Sequence, residues 1–379
     1  MHGRWSLPGC VVAAATVAAC KADPSPPTPM AGSAGAPPPS VPSASAPPVR
    51  PTRLRRVTLQ ATADENAVCH DGSPPALYLR RGTPAREDHW IVVLGGGATC
   101  TDARACPAAA PRPRRSSPPP VASRHPAVGI LDGDEAKNPD FAGFSQVFVP
   151  SCSLDAWMGD RGASEATGGQ HHRGHRIVAA VLEALRRPRA DGPSLRDAKR
   201  LVLAGVAEGA LGVIHHLDRV AAQLPQVEVR GLVDGLPRLR PLSLAERRRR
   251  VAAWAPVLDA SCTAAAAASG PAACVDALDV LRDHVATPLF LRVDLRRPQV
   301  GPATDEDAAS VASVRASEAL ARALLGPRPA GFGSAYGAPA VLLQSAFFED
   351  RVQNDRLSSA VARFVFARAG AAKVVAPRG

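Results

Sequence analysis

Short apolar runs, each bounded by turn residues, alternate along this chain with segments of helical periodicity, and this alternation is the strongest constraint on the fold. The runs lack the inward and outward alternation of a half-exposed strand, so they predict strands that are buried on both faces. They are residues 90–94, 146–149, 201–204, 231–233, 289–293 and 341–343. Helical periods occupy residues 176–186, 210–223, 275–284, 308–325 and 356–367. Buried strands separated by helices predict the α/β class, with a mostly parallel central sheet covered by helices on both faces.

The N-terminal segment has the form of an export signal. His2 and Arg4 precede an apolar run of about nine residues, far shorter than the roughly twenty that cross a membrane as a helix. The run ends in Val-Ala-Ala-Cys at residues 17–20, which resembles the lipobox of bacterial lipoproteins. We therefore expect residues 1–20 to be a lipoprotein-type signal peptide, with the lipid on Cys20. Ordinary secretory cleavage, with Cys20 incidental, is the alternative.

The segment after the signal predicts a tether. Residues 21–56 are rich in Pro, Ser and Ala, and such a stretch cannot bury enough apolar surface to offset its chain entropy. We expect it to be semi-extended, with the folded domain at residues 57–379. Lys21, by resemblance to Gram-negative lipoproteins, favours the outer membrane or cell surface, where the lipid on Cys20 would attach the protein; a secreted or periplasmic protein is the alternative.

The cysteines also indicate an oxidising compartment. Six of the eight lie beyond the signal segment, and an even number in an exported chain predicts disulfides, although six cysteines permit fifteen pairings. Proximity along the chain suggests Cys100 with Cys106 and Cys262 with Cys274, which leaves Cys69 for Cys152. No paired Cys-x-x-Cys occurs, so we expect no zinc site.

The formal charge of +11 is that of many nucleic-acid binders, but the rest of the composition argues against one. Arginine supplies all but four of the 45 basic residues, in a chain crowded with alanine and proline, which is typical of a GC-rich genome. No recognition motif accompanies the charge, and only 4% of the residues are aromatic, too few for a base-stacking surface. We expect no nucleic acid as a partner, whereas attraction to anionic surfaces or acidic polysaccharides fits the charge.

A strand, a tight glycine turn and a helix follow one another at residues 201–210. Gly205 and Gly209 flank a central residue, as in the Gly-x-Ser-x-Gly nucleophile elbow, where small residues let the helix and the strand approach closely. The central residue here is Ala207.

A second glycine turn, residues 95–97, follows the predicted strand at residues 90–94. Backbone N–H groups in such a turn can point at a developing oxyanion, although phosphate-binding turns have the same pattern. No Gly-Lys-Ser/Thr follows it, so a P-loop is not indicated.

Together these segments resemble the pectin acetylesterases and their animal relative Notum, carboxylesterases of the α/β-hydrolase type. The similarity is collinear over most of residues 66–300. It runs through residues 69–75, 78–80, 90–100, 129–131, 138–141, 147–149, 159–161, 173–177, 205–209, 216–219, 224–225, 261–262 and 287–294.

The resemblance implies a Ser, Asp and His triad, and this chain departs from it. The nucleophile position is Ala207, the acid falls on Asp294, and the histidine position falls on Glu349. The last histidine of the sequence is His284, so none follows Asp294. The implied oxyanion hole consists of the backbone N–H groups of Gly97, Ala98 and Glu208. We expect no cofactor and no metal.

Other candidate groups have ordinary structural interpretations, with the functional ones as alternatives. Asp294 is equally well a carboxylate that caps a neighbouring loop. The Glu208 side chain is a poor candidate nucleophile, because an elbow presents only its central residue. Ser334 is expected in a turn, and His215 and His216 in satisfied packing positions. His171, His172 and His175 predict a loop-to-helix surface rather than a metal site.

Two arginine-rich stretches, residues 108–120 and 246–250, predict a solvated loop and a solvated helix face.

Three functions remain open at this stage. The leading hypothesis is an exported protein of this fold that has lost catalysis and keeps a cleft for an acylated or polysaccharide ligand. The second is an active carboxylic-ester hydrolase with a different nucleophile, for which Ser334 and Ser345 are the first candidates. The third is a tethered interaction protein whose cleft is filled by side chains.

Overall fold

A computed structural model describes most of one compact unit, Val49–Gly379. The described residues are 53–59, 66–102, 106, 124–188, 194–237, 239–295, 311–368 and 372–377. The predicted signal peptide with Cys20, most of the predicted tether and the arginine-rich loop at residues 108–120 lie outside them. No helix among the described residues is long and apolar enough to cross a membrane.

Strands and helices alternate along the described chain. The strands are β1 Arg53–Thr58, β2 Ala76–Arg80, β3 His89–Leu94, β4 Arg124–Pro126, β5 Ser145–Val149, β6 Arg200–Val206, β7 Glu228–Asp234, β8 Leu289–Asp294, β9 Gly331–Ser334, β10 Arg351–Val352, β11 Asp355–Arg356 and β12 Lys373–Val375. The helices are α1 Gly174–Arg186, α2 Glu208–Gln223, α3 Leu244–Trp254, α4 Ala260–Ala265, α5 Ala277–Asp283, α6 Val311–Leu325, α7 Ala346–Glu349 and α8 Leu357–Phe366.

Ten strands form one sheet in the order β12-β9-β8-β7-β6-β3-β5-β2-β1-β4. The strands from β12 to β5 run parallel, and β2, β1 and β4 continue the sheet in antiparallel register. Because β3, β6 and β8 are parallel, the residues that follow them lie at one edge of the sheet. This arrangement confirms the predicted α/β-hydrolase-like class.

The two faces of the sheet bury two separate apolar cores. On one face α1, α2 and α5 contribute Ile177, Leu217 and Leu278. On the other face α7 and α8 contribute Phe347 and Val361. Alternate residues of the same central strands belong to opposite cores, which explains why these strands are mostly apolar.

The prediction of a strand at residues 341–343 is wrong. The backbone N–H groups of Val341 and Leu342 both donate to the Asp234 carboxylate, at 2.7 Å, so they are not available to a strand ladder. The sheet position belongs instead to β9, Gly-Phe-Gly-Ser, where an added Cβ at Gly331 would lie 2.6 Å from Leu325. A strand with two glycines lacks the apolar pattern on which the prediction relied.

The predicted end of the tether, at residue 56, lies too far along the chain. Residues 53–56 belong to β1, which pairs with β2 and β4, and Leu54 is fully buried in the second core. The apolar contacts of Leu54 therefore extend the ordered domain by at least four residues beyond the predicted boundary at residue 57.

Three disulfides join the pairs that proximity suggested, Cys69 to Cys152, Cys100 to Cys106 and Cys262 to Cys274. The first links residues 83 apart in sequence and so ties the segment before β2 to the loop after β5. Crosslinks of this kind stabilise chiefly by restricting the unfolded chain, and more so for longer loops.

Helix α2, which follows the elbow, carries two buried histidines. His216 Nε2 contacts the Trp157 carbonyl at 2.7 Å, as a satisfied packing role requires. His215 is 1% exposed, and neither of its ring nitrogens has a partner among the described residues, so the expectation of a satisfied role is wrong for it. Burial lowers the pKa of His215 to about 4 and that of His216 to about 3.

We predict that acid destabilises the protein partly through His215. Its pKa is lower in the folded state, so its contribution to stability is present above about pH 6.5 and is lost as the pH falls toward 4, about 3 kcal/mol in all. His215→Leu should therefore flatten the dependence of the unfolding free energy on pH over that interval, as measured by urea denaturation. Leu211→Met, a neighbouring change without a titratable group, should leave the pH dependence as it is. An unchanged slope in His215→Leu would contradict this prediction.

Candidate active site

The turn between β6 and α2 has the geometry of a nucleophile elbow. Ala207 adopts φ 50° and ψ −118°, a strained conformation for a residue with a side chain. An added Cβ at Gly205 would lie 2.2 Å from the Gly209 carbonyl oxygen, and one at Gly209 would lie 2.1 Å from the Leu94 carbonyl oxygen. The two glycines are therefore required by the close approach of helix and strand.

The residue at the tip of this elbow presents only a methyl group. Ala207 is half-buried, and its backbone N–H donates to the Asp234 carbonyl at 3.0 Å, which ties the elbow to the end of β7. The glycine turn after β3 packs against it, since an added Cβ at Gly96 would lie 2.9 Å from the Ala207 Cβ. The elbow and the glycine turn thus meet as the sequence predicted.

The Glu208 side chain occupies the glycine turn. Its carboxylate accepts a hydrogen bond from the Gly97 backbone N–H at 2.9 Å. Gly97 is one of the residues expected to donate to an oxyanion. Glu208 also begins α2, where the helix dipole favours a negative charge. A carboxylate oxygen of Glu208 therefore accepts the hydrogen bond of the Gly97 N–H.

A strained loop after β5 contacts the glycine turn and supports it. Leu154, Ala156 and Trp157 all have positive φ, at 56°, 51° and 68°, and all three are buried. The Trp157 indole N–H donates to the Gly95 carbonyl at 3.1 Å. Residues held in sparsely populated conformations need surroundings that overdetermine them, so this loop is a rigid support for the turn.

Asp294, the acid position, lies at the end of β8 and is 5% exposed. It accepts a hydrogen bond from the Gly337 backbone N–H at 2.6 Å. The Arg292 guanidinium lies 3.6 Å from the same oxygen. The hydrogen bond from Gly337 holds the loop after β9 against the sheet, which is the structural role that the sequence left open as an alternative.

Arg292 is the centre of a buried charge network at this edge of the sheet. Its fully buried guanidinium contacts Asp234 at 3.4 Å and Asp350 at 2.9 Å. Burial raises the pKa of Asp234 and of Asp350, although the positive charge of Arg292 opposes that shift. One cation therefore faces three carboxylates, including Asp294.

Glu349, the position of the triad histidine, lies next to this network. It ends α7 and is exposed, and it accepts a hydrogen bond from the Tyr336 hydroxyl at 3.0 Å. This hydrogen bond raises the pKa of Tyr336. The adjacent Asp350 points inward, to Arg292 and to the Ser334 hydroxyl, which donates to it at 2.9 Å.

A chain of contacts therefore connects the three positions that the resemblance predicts for a triad. The Ala207 N–H binds Asp234, Arg292 bridges Asp234 to Asp294 and Asp350, and Glu349 precedes Asp350.

The prediction that places Ser334 in a turn is wrong. Ser334 ends β9 and is fully buried within the Arg292 network, where its hydroxyl also accepts from Arg292 at 3.3 Å. A buried hydroxyl committed to a carboxylate and a guanidinium is not accessible to a substrate.

The histidine cluster at the start of α1 holds no metal arrangement. Among the described residues, no group of three His, Cys, Asp or Glu side chains is placed to bind an ion. His172 is buried and directs Nδ1 to the Ser153 carbonyl at 3.3 Å, so it is not the surface residue that the sequence predicted. The hydrogen bonds of residues 161 and 172 pair their backbones in an antiparallel bridge, which explains the burial of His172.

A serine hydroxyl contacts an imidazole at a place away from the elbow. Ser261 Oγ, on α4, is 3.1 Å from His284 Nδ1. The same hydroxyl lies 2.9 Å from the Asp259 carboxylate, which also caps α4 through the Cys262 N–H. This contact belongs to a helix cap.

Arg292 is the residue of this site that sequence analysis missed. A charged residue inside the apolar strand at residues 289–293, two positions before Asp294 and so on the same face, is a signal that points to a buried ion pair.

Comparison with known proteins agrees with this geometry. A family model described as pectinacetylesterase matches residues 50–236. Pectin acetylesterase 11 of Arabidopsis thaliana is 31% identical over 168 residues, which are 44% of this chain and 41% of that protein. The palmitoleoyl-protein carboxylesterase Notum of Homo sapiens is 33% identical over 186 residues, 46% of this chain and 35% of that protein.

A solved structure is similar over nearly the whole domain. The crystal structure of the Wnt deacylase Notum from Drosophila superposes with a TM-score of 0.71 at 25% identity, covering 83% of this chain and 93% of that one. In sequence, the chain spans less than half of the length of the curated relatives that it matches.

We predict that Arg292 is essential to the stability of this edge. Arg292→Met leaves three buried carboxylates without their cation, and breaking a buried pair in this way costs about 3–5 kcal/mol. The loss should shrink as the pH falls, because protonation of Asp234 and Asp350 removes the buried negative charge, and their raised pKa values place that protonation above the usual range.

Thermal and urea denaturation at several pH values would measure this loss. Arg282→Met, which breaks an exposed pair with Asp283, is the control and should cost less than about 1 kcal/mol. Equal losses in the two variants would contradict the central role of Arg292.

Proposed function

The chain belongs to the pectin acetylesterase and Notum family of esterases, and from this premise we propose that it is an exported, non-catalytic member that keeps a cleft for an acylated or polysaccharide ligand. The observation that carries the proposal is Ala207 at the strained centre of the elbow. Ester hydrolysis by this route needs a hydroxyl that attacks the carbonyl carbon, and a methyl group has no lone pair to do so.

The missing base supports the same conclusion. An imidazole must remove the proton of the nucleophile and later protonate the leaving group. The sequence contains no histidine after His284, and the position expected for the base holds Glu349, whose carboxylate accepts from Tyr336. In a related triad, loss of the serine or the histidine alone reduces kcat about a million-fold.

The contacts of the glycine turn also support the proposed loss of catalysis. A tetrahedral intermediate places a negative oxygen at donors such as the Gly97 N–H. The Glu208 carboxylate already binds that N–H, so an oxyanion there would meet both an occupied donor and a like charge. Nucleophile, base and oxyanion donor are therefore all replaced or occupied.

A hydrolase with a different nucleophile remains the alternative function. Ser334 is fully buried, which removes the first candidate. Ser345 is exposed at the start of α7, and Ser261 contacts His284. Covalent labelling of the wild-type protein by a fluorophosphonate, mapped to Ser345 or Ser261 by mass spectrometry, would favour this alternative and overturn the non-catalytic proposal.

We predict that activity returns only if Glu208 is removed. The double variant A207S/E349H restores a nucleophile and a base but should stay near background, because Glu208 still binds the Gly97 N–H. The triple variant A207S/E349H/E208A frees that donor and should hydrolyse p-nitrophenyl acetate at least about 100-fold faster than the double variant.

The matched control adds a distant carboxylate change. A207S/E349H/E183A alters a half-buried residue of α1, far along the chain from the elbow, and should behave as the double variant does. A double variant already as active as the triple variant would contradict the role given to Glu208.

The export part of the proposal rests on the three disulfides and on the signal-like segment. Disulfides persist in oxidising compartments. We predict that expression of the full chain in a Gram-negative host yields a membrane-associated form whose N-terminal residue is acylated Cys20, detected by mass spectrometry. Cys20→Ser should release the protein from the membrane fraction. An unmodified Cys20 in the mature protein would limit the proposal to ordinary secretion.

A further inference from the structure

A groove that contains three arginines adjoins the glycine turn on the side of α3. It consists of two neighbouring cavities of about 300 and 180 Å³ that share Thr101 and Arg249 in their walls. The larger cavity is lined also by Arg161, Thr167 and His172, and the smaller one by Thr99, Glu246 and Arg250. We call this the Arg161–Arg249 groove. It begins at Thr99, two residues after Gly97.

The groove contains positive charge that the described part of the protein does not neutralise. Neither the Arg161 nor the Arg249 guanidinium has an ion pair or a hydrogen bond with any described residue. The Arg161 Nε is buried and lacks a partner. By contrast, Arg176, which borders a separate cavity, is paired with Asp160. A buried guanidinium nitrogen without an acceptor is costly, so an external acceptor is expected here.

The other polar groups of the groove do not cancel this charge. Glu246 lines the smaller cavity, but its carboxylate already accepts from the Ser243 N–H at 2.8 Å and pairs with Arg240 at 3.1 Å. The Thr167 hydroxyl donates to the Ser164 carbonyl at 3.0 Å. Burial and the charges of His70 and Arg161 lower the pKa of His172 to about 4, so its ring is neutral at neutral pH.

The walls of the groove are held rigidly to one another. The Trp254 indole N–H donates to the Cys100 carbonyl at 2.6 Å, and the Asp160 N–H donates to the Trp254 carbonyl at 2.9 Å. Arg250 stacks over the Trp254 ring at 5.0 Å. The backbone of residue 161 is paired with that of His172 on the other side. Arg161 and Arg249 thus stand on supports that are bonded to each other, as a preorganised binding site requires.

We propose that the Arg161–Arg249 groove binds an anionic group, a carboxylate, sulfate or phosphate, between the two guanidinium groups. Arginine matches such oxyanions because its N–H groups form paired, charge-assisted hydrogen bonds. The exposed Thr101 hydroxyl adds a neutral donor at the junction of the two cavities. The volume of the larger cavity accommodates a single small group rather than a polymer backbone. This inference goes beyond the proposed function and does not depend on the loss of catalysis.

The test is calorimetric titration of the full chain with two probes, inorganic sulfate and trigalacturonate, at low ionic strength. Arg249→Ala should weaken the binding about five- to tenfold, the loss of one charge-assisted contact at a partly exposed site. Arg161→Gln should weaken it at least as much. Arg248→Ala removes an equal charge from an exposed neighbour that lines neither cavity, and it should change the affinity less than about twofold by screening.

The two probes separate the possible sources of the anion. Binding of sulfate alone identifies a small-oxyanion site, whereas tighter binding of trigalacturonate identifies a carboxylate carried by a sugar, and both results support the proposal. The proposal is overturned if neither probe binds saturably, if methyl-esterified trigalacturonate binds as well as the acid, or if Arg248→Ala and Arg249→Ala weaken binding equally. Hydrolysis is not measured, so failure here leaves the proposed function unaffected.

Discussion

The candidate site depends on one steric constraint, the contact of α2 with the ends of β3 and β6. The helix backbone passes so close to the Leu94 carbonyl that no side chain fits at Gly209, and Gly205 faces the same helix turn. This contact forces the strained conformation of Ala207 and brings the turn at residues 95–97 against it. The architecture of an esterase site is therefore retained by packing alone, independently of the reactive groups.

Around this frame, carboxylates occupy or adjoin several of the positions that the family resemblance predicts for catalysis. Glu208 binds a backbone donor of the glycine turn, and Glu349 binds a phenol where a base is expected. Beneath them, Arg292 holds Asp234, Asp294 and Asp350 in one buried network. Each of these carboxylates has a partner within the protein, and these contacts are the basis of the proposed loss of catalysis.

Much of the fold follows from the sequence, because the central strands are buried on both faces and so are mostly apolar. Strand β9 was not predictable in this way, since its glycines are selected by the side chain of Leu325 and not by an apolar pattern. The elbow and the three disulfide pairs were recognised from spacing. The hydrogen bond of the Glu208 carboxylate with Gly97 depends on a contact between segments far apart in sequence, and so does the groove at Arg161 and Arg249. No local pattern encodes either of them.

The Cys100–Cys106 disulfide has a consequence for the rigidity of the Arg161–Arg249 groove. It closes the short loop whose carbonyl at Cys100 anchors Trp254, and through Trp254 it anchors the helix that carries Arg249. Reduction of this disulfide would open the loop and loosen one wall of the groove. The anion binding proposed for the groove would therefore depend on the redox state of Cys100 and Cys106.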